Sequence, residues 1–95
     1  MSVCFTPQAE DDLAAIRDWI AEDNAQVAER VVARIVQTAM MFGQFPLLGR
    51  TGKVGGTREF SVVGLPYVIV YAIASDGQVD VLTVLHTRRR YPPSA

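Results

Sequence analysis

One cysteine and one histidine in a chain of 95 residues remove several chemistries at the outset. Cys4 has no partner for an intramolecular disulfide, which fits a reducing compartment. Cys4 and His86 cannot supply the ligand spacing of a zinc site, and no metal or cofactor is expected. No apolar run reaches the length of a bilayer, and the N-terminus lacks a basic segment followed by an apolar stretch. A cytoplasmic protein without a membrane partner is therefore expected. The segment Phe45–Gly56 is rich in glycine but lacks the Walker spacing and does not lie between a parallel strand and a helix, so it reads as a connector rather than a phosphate cradle. Repeats and low-complexity tracts are absent as well.

Net charge is also scarce, but its distribution is uneven. The chain carries −1 in total, yet residues 1–49 hold seven acids against Arg17, Arg30 and Arg34, and residues 50–95 hold six basic residues against Glu59, Asp76 and Asp80. The acids suit a solvated helix. The basic half suits contact with something anionic.

What is present is one α+β domain spanning residues 1–95, with the composition of an ordinary globular protein. Gly56–Pro92 organises it. Three runs rich in β-branched and aromatic residues, Thr57–Val63, Tyr67–Ala74 and Val79–His86, are separated by turn residues and predict an antiparallel meander. If Asp76-Gly77 forms a two-residue loop, Ala74 lies opposite Val79, Tyr71 opposite Leu82 and Tyr67 opposite His86. If Leu65-Pro66 forms the other loop, Val62 lies opposite Ile69 and Arg58 opposite Ile73. Alternation then puts Arg58, Phe60, Val62, Tyr67, Ile69, Tyr71, Ile73, Asp80, Leu82, Val84 and His86 on one face. Both faces are apolar at the centre, so helices should cover one and a partner part of the other.

The N-terminal half supplies the helices. Val3–Phe5 is a short strand, expected at a sheet edge beside Thr57–Val63. Thr6 suits an N-cap and Pro7 the first helical position. Ala9, Leu13, Ile16 and Ile20 mark an amphipathic helix over about Pro7 to Glu22, with Trp19 flanking its stripe. Asp23-Asn24 gives a turn and a new cap, and a second helix runs from about Ala25 to Gln44. Its apolar positions, including Val31, Ile35 and Phe42, form a stripe wider than one contact needs. Met40 and Met41 read as core fillers. So short a connection makes the pair an αα-hairpin, and the order is β-α-α-β-β-β with the helices on one face of the sheet.

The candidate chemistry is concentrated in His86-Thr87-Arg88-Arg89-Arg90-Tyr91. A histidine or tyrosine for proton transfer and arginines against a developing phosphorane charge could cleave RNA, with His86, Arg88, Arg89 and Tyr91 in those roles. Alternatively Arg88, Arg89, Arg90 and Tyr91 form a target-binding patch while His86 caps the strand end; basic runs more often bind than react. In the expected register Arg58 lies six rungs from His86, about 20 Å at ~3.4 Å per residue, and Glu59 points to the other face. Arg58 is then a structural or partner-binding cation. A plain nucleic-acid-binding module is a further alternative, but the net charge of −1 does not favour salt-sensitive nonspecific binding.

Gly56-Thr57-Arg58-Glu59, Pro66–Tyr71, Val84-Leu85-His86, Arg88-Arg89 and Tyr91-Pro92 together resemble the RelE/ParE toxin superfamily, and the ParE branch more closely. Thr6–Leu13 and Phe45–Arg50 look like that family's helix start and inter-element loop, so the resemblance covers nearly the whole chain. It implies the toxin of a type II toxin–antitoxin pair, associated with plasmid stabilisation and growth arrest. It implies a hetero-oligomer with a ParD-like antitoxin, whose C-terminal segment wraps the toxin and through which alone operator DNA is met. RelE-like members are ribosome-dependent mRNA endonucleases using basic residues on sheet and tail; ParE-like members are associated with inhibition of DNA gyrase. Val68 stands where the ribonuclease branch tends to carry a basic residue, and the strand before it offers only Arg58. These departures favour a gyrase inhibitor over an enzyme, while His86–Tyr91 keeps the ribonuclease alternative open. Arg50, Lys53 and Arg58 are expected to meet acidic side chains of the antitoxin, with Val31 and Ile35 supplying apolar contact.

Overall fold

The computed structural model describes residues 2–88. In chain order it contains β1 (Val3–Phe5), α1 (Pro7–Ala21), α2 (Ala25–Met40), a 3₁₀ turn (Met41–Gly43), β2 (Arg50–Thr51), β3 (Thr57–Ser61), β4 (Tyr67–Ile73) and β5 (Val79–His86). The helices form a hairpin on one face of a five-stranded sheet of order β1-β5-β4-β3-β2. Among the described residues no helix is long and apolar enough to cross a membrane.

Local signals set the helix starts. Thr6 Oγ1 accepts from Ala9 N at 3.2 Å with Pro7 following, and Asn24 Oδ1 accepts from Val27 N at 3.1 Å. Each satisfies one of the orphan donors of a first helical turn. The ends are less local. α2 stops at Met40 and tightens into a 3₁₀ turn instead of continuing to Gln44. Phe42 is thereby enclosed, while Met40 and Met41 turn outward at 52% and 47% exposure, so neither fills the core. Trp19 stands fully off the core at 73% exposure.

The sheet is mixed rather than antiparallel. β1 runs parallel to β5, pairing Val3 with Val79 and Phe5 with Val81, and thus takes the edge opposite the one expected. Ser2 O accepts from Val79 N, and Thr6 N donates to Val81 O, each at 3.0 Å. The edge beside β3 is taken by β2, a strand the sequence pattern did not mark. β3 and β4 pair two residues away from the expected register: Val62 N donates to Tyr67 O, leaving a four-residue loop, and Arg58 lies opposite Tyr71 rather than Ile73. A shift of two preserves the faces.

The β4–β5 register corrects in a different way. Tyr67 lies opposite His86, as expected, through Val70 opposite Thr83; then Tyr71 meets Val81, and Leu82 is skipped as a bulge. The turn explains the slip. Within this turn only Gly77 adopts a positive φ, at 86°, so Asp76-Gly77 does not form a two-residue loop. Gly77 N donates to Ala74 O and Ala74 N to Gln78 O, closing three residues with glycine in the left-handed position. Beyond the bulge the faces exchange. Val79 and Val81, not Asp80 and Leu82, lie against the helices and are fully buried.

Candidate functional site

The bulge is held by groups from the start of the chain. Thr6 Oγ1 donates to Leu82 O at 2.9 Å, and Asp12 Oδ2 accepts from Thr83 Oγ1 and, at 3.0 Å, from Val84 N. Asp12 thereby fixes α1 against β5. Positions 12, 15, 16 and 19 share one face of α1, and that face forms a groove of about 530 Å³ with Tyr67, Val84, Leu85, His86 and Arg88. The Tyr67 and His86 rings meet edge to face at 5.7 Å. His86 Nδ1 accepts from Arg88 N at 3.2 Å, which leaves the proton of a neutral ring on Nε2. Arg88 is exposed. Arg89, Arg90 and Tyr91 lie outside the described residues. An exposed indole, an imidazole and a guanidinium at one groove can stack on and hydrogen-bond to a partner. Sequence reading placed Trp19 only beside the helix's apolar stripe and gave Asp12 no site role, although their i, i+7 spacing put them on one line.

Arg58 belongs to another assembly at the far end of the sheet. Level with Tyr71, it stands four residues from the Tyr67–His86 pair, about 14 Å along the strands rather than six rungs away. Its Nη1 donates to Gly49 O at 2.8 Å. Tyr71 is fully buried and stacks on Phe42 with ring centroids 4.0 Å apart. Its hydroxyl accepts from Gly49 N and donates to Pro46 O, both at 2.8 Å. Burial pushes the Tyr71 hydroxyl above its usual pKa near 10.0, against the opposing pull of the Gly49 hydrogen bond and the Arg58 charge. Gly49 is obligatory here, since a Cβ would lie 2.8 Å from the Tyr71 ring and hydroxyl. Arg50 Nη2 lies 3.3 Å from Glu59 Oε1, and Lys53 is exposed.

A third feature lies on α2. Val27, Arg30, Val31, Arg34, Gln37 and Leu65 line a shallow depression of about 510 Å³, across which Arg34 donates to Val63 O. Val31 is half-buried there. Ile35 is fully enclosed in the core, so it offers no contact surface; it belongs to the inner face of the stripe and not to the outer one.

Comparison with known proteins adds the context for these surfaces. Residues 3–91 match the family described as the ParE toxin of the type II toxin-antitoxin system parDE. The chain is 36% identical over 88 residues to Y4kP of Sinorhizobium fredii, a protein assigned as a toxin, covering 93% of this chain and 90% of that one. It is 37% identical over 87 residues to toxin RelE2 of Caulobacter vibrioides, covering 92% and 96%. In fold it resembles the chromosomal ParDE toxin–antitoxin system of P. aeruginosa, with a TM-score of 0.82 at 24% identity over 90% of this chain and 95% of that chain. The RelBE2 toxin–antitoxin complex of Mycobacterium tuberculosis gives 0.66 at the same identity and coverage. An αα-hairpin on a mixed sheet, matched from β1 to beyond the basic end of β5, makes this chain a member of the ParE toxin family, a type II toxin of the ParE/RelE superfamily.

Proposed function

We propose that this toxin inhibits DNA gyrase by contact and that a ParD-like antitoxin neutralises it. One observation carries the choice of contact over catalysis: among the described residues His86 makes its hydrogen bond to Arg88 N, while Arg58 is tied to Gly49 about 14 Å away. At that distance Arg58 cannot act on a phosphate within hydrogen-bond reach of His86. The groove lined by Tyr67 and His86 instead offers the exposed Trp19 indole and Arg88 guanidinium, the kinds of group that anchor protein interfaces. Arg88 and the Arg89, Arg90 and Tyr91 that follow are the target-binding determinant on this reading, acting in the cytoplasm on gyrase and its DNA. The antitoxin covers the depression around Val31 and reaches Arg50, Lys53 and the Arg58 edge.

The second reading, a ribosome-dependent mRNA endonuclease, is favoured by the likeness to toxin RelE2 and by His86 sharing a groove with Arg88. A paired assay separates the two: supercoiling by gyrase, and mRNA cleavage on translating ribosomes, each with wild type and His86→Ala. The contact reading expects inhibited supercoiling that His86→Ala largely preserves. Ribosome-dependent cuts that fall on the order of 10²–10⁴-fold in His86→Ala, with supercoiling untouched, would overturn it.

A further inference from the structure

The segment just after α2 is apolar, exposed and yet pinned. Met40, Met41, Phe45, Leu47 and Leu48 are 52%, 47%, 57%, 68% and 40% exposed within nine consecutive residues. Connecting segments are ordinarily polar, and a loose one this apolar would fold its side chains inward. Here the backbone forbids that. Phe45 N donates to Met41 O at 2.9 Å and Leu48 N to Phe45 O at 3.1 Å, closing two successive turns. The Tyr71 hydroxyl then holds Pro46 O and Gly49 N at once, and Arg58 holds Gly49 O. The core contributes a buried phenol and a guanidinium to fix this loop, while the loop contributes little to the core.

Charge says what kind of surface it is. Arg50 follows directly, with 78% of its side chain exposed although Nη2 lies 3.3 Å from Glu59 Oε1, and Lys53 lies exposed beyond it. A second copy of the chain would bring these like charges together around the symmetry axis of a dimer. An acidic segment with apolar side chains meets both features.

We propose that Phe45, Leu47 and Leu48, flanked by Arg50 and Lys53, form a preformed docking surface for an acidic amphipathic segment of the antitoxin. This is a second anchor, separate from the depression around Val31 near the other end of α2, and it rests on the antitoxin pairing proposed above. Tyr71 is its positioning residue. Holding the loop in its bound shape removes an ordering cost that a flexible loop would incur at association.

The test uses the full-length toxin co-expressed with the protein encoded by the upstream reading frame, with affinities measured by calorimetry on the separated partners. The Phe45→Ser/Leu47→Ser double variant is expected to keep the melting temperature of wild type and to bind at least ~10-fold more weakly, the cost of removing an apolar anchor. Arg50→Glu/Lys53→Glu should weaken binding and flatten its salt dependence. Tyr71→Phe should weaken binding with every exposed side chain intact, a change that a loop without a docking role would not show. Unchanged affinity in the double variant overturns the proposal. So does a double variant that binds the antitoxin normally but no longer inhibits gyrase, since the surface then belongs to the target, and so does a wild-type dimer that the double variant dissolves. A wild-type toxin that does not bind the upstream product at all refutes the pairing itself.

Discussion

The two ends of the helix-covered sheet face carry the same kinds of side chain to opposite purposes. At one end Tyr71 stacks on Phe42, Phe60 meets Phe42 edge to face at 5.8 Å, and the tyrosine hydroxyl both accepts and donates. At the other end Tyr67 meets His86 edge to face, and beside them Trp19 and Arg88 are open to solvent. The buried cluster at the first end is saturated: the Tyr71 hydroxyl and the Arg58 guanidinium each close a contact within the fold. The second leaves an indole and a cation exposed. A small domain that places its enclosed aromatic cluster at one end of a strand can leave the other end free for recognition.

Substitutions can sharpen or break that contrast. Tyr71→Ala should be the most damaging, removing a stacked ring from the core and orphaning Gly49 N and Pro46 O. A loss of about 4 kcal/mol is expected from urea unfolding, with the toxin substantially unfolded at 37 °C. Tyr71→Phe keeps the ring and removes only the hydroxyl, so about 2 kcal/mol is expected. Asp12→Ala frees Thr83 Oγ1 and Val84 N from their shared acceptor and should cost ~1–2 kcal/mol, with faster amide exchange at Val84 as its local signature.

Alkaline pH tests the saturated end without mutation. The folded Tyr71 pKa is raised above that of the unfolded chain, so the neutral phenol is favoured by folding. Its contribution is fully present below the unfolded value near 10 and is lost as pH rises from there through the folded value. Urea titrations from pH 8 to 11 should show this decline, and it should be smaller in Tyr71→Phe. If the two proteins decline equally, Tyr71 is not enclosed as described. Least affected should be Arg88→Ala: stability within ~0.5 kcal/mol of wild type, with any change confined to target inhibition.

The caps and turns show which parts of the fold were legible in the sequence. Thr6-Pro7 and Asp23-Asn24 act through atoms three residues away, so short-range patterns sufficed for both helix starts. The Leu82 bulge did not announce itself, because Thr6 and Asp12 hold it from more than 70 residues away, and it reversed the face of Asp80 and Leu82. β2 was invisible for a related reason. Two residues carry no alternation, and their strand character comes from pairing with Arg58 and Glu59. Of the candidate site, His86 and Arg88 were readable as chemistry beside a strand end. Trp19 was not, since an off-stripe tryptophan looks like packing until the sheet places Tyr67 and His86 beside it. Tyr71 is placed on its face by strand alternation, but its hold on Gly49 depends on a contact between residues 22 apart.

The parallel pairing of β1 with β5 bears on the order in which this chain can assemble. Val3 finds its partner in Val79, so the sheet's first-made strand waits for its last-made one. The α1–α2 hairpin closes over a few residues and can form early, whereas the β1 edge demands closure from Val3 to Val79. Without β5, β4 has one unpaired margin, and neither the bulge nor the groove beside His86 can be built. The groove beside His86 therefore requires β5 in place and forms later than the helical hairpin, a consequence of the strand order.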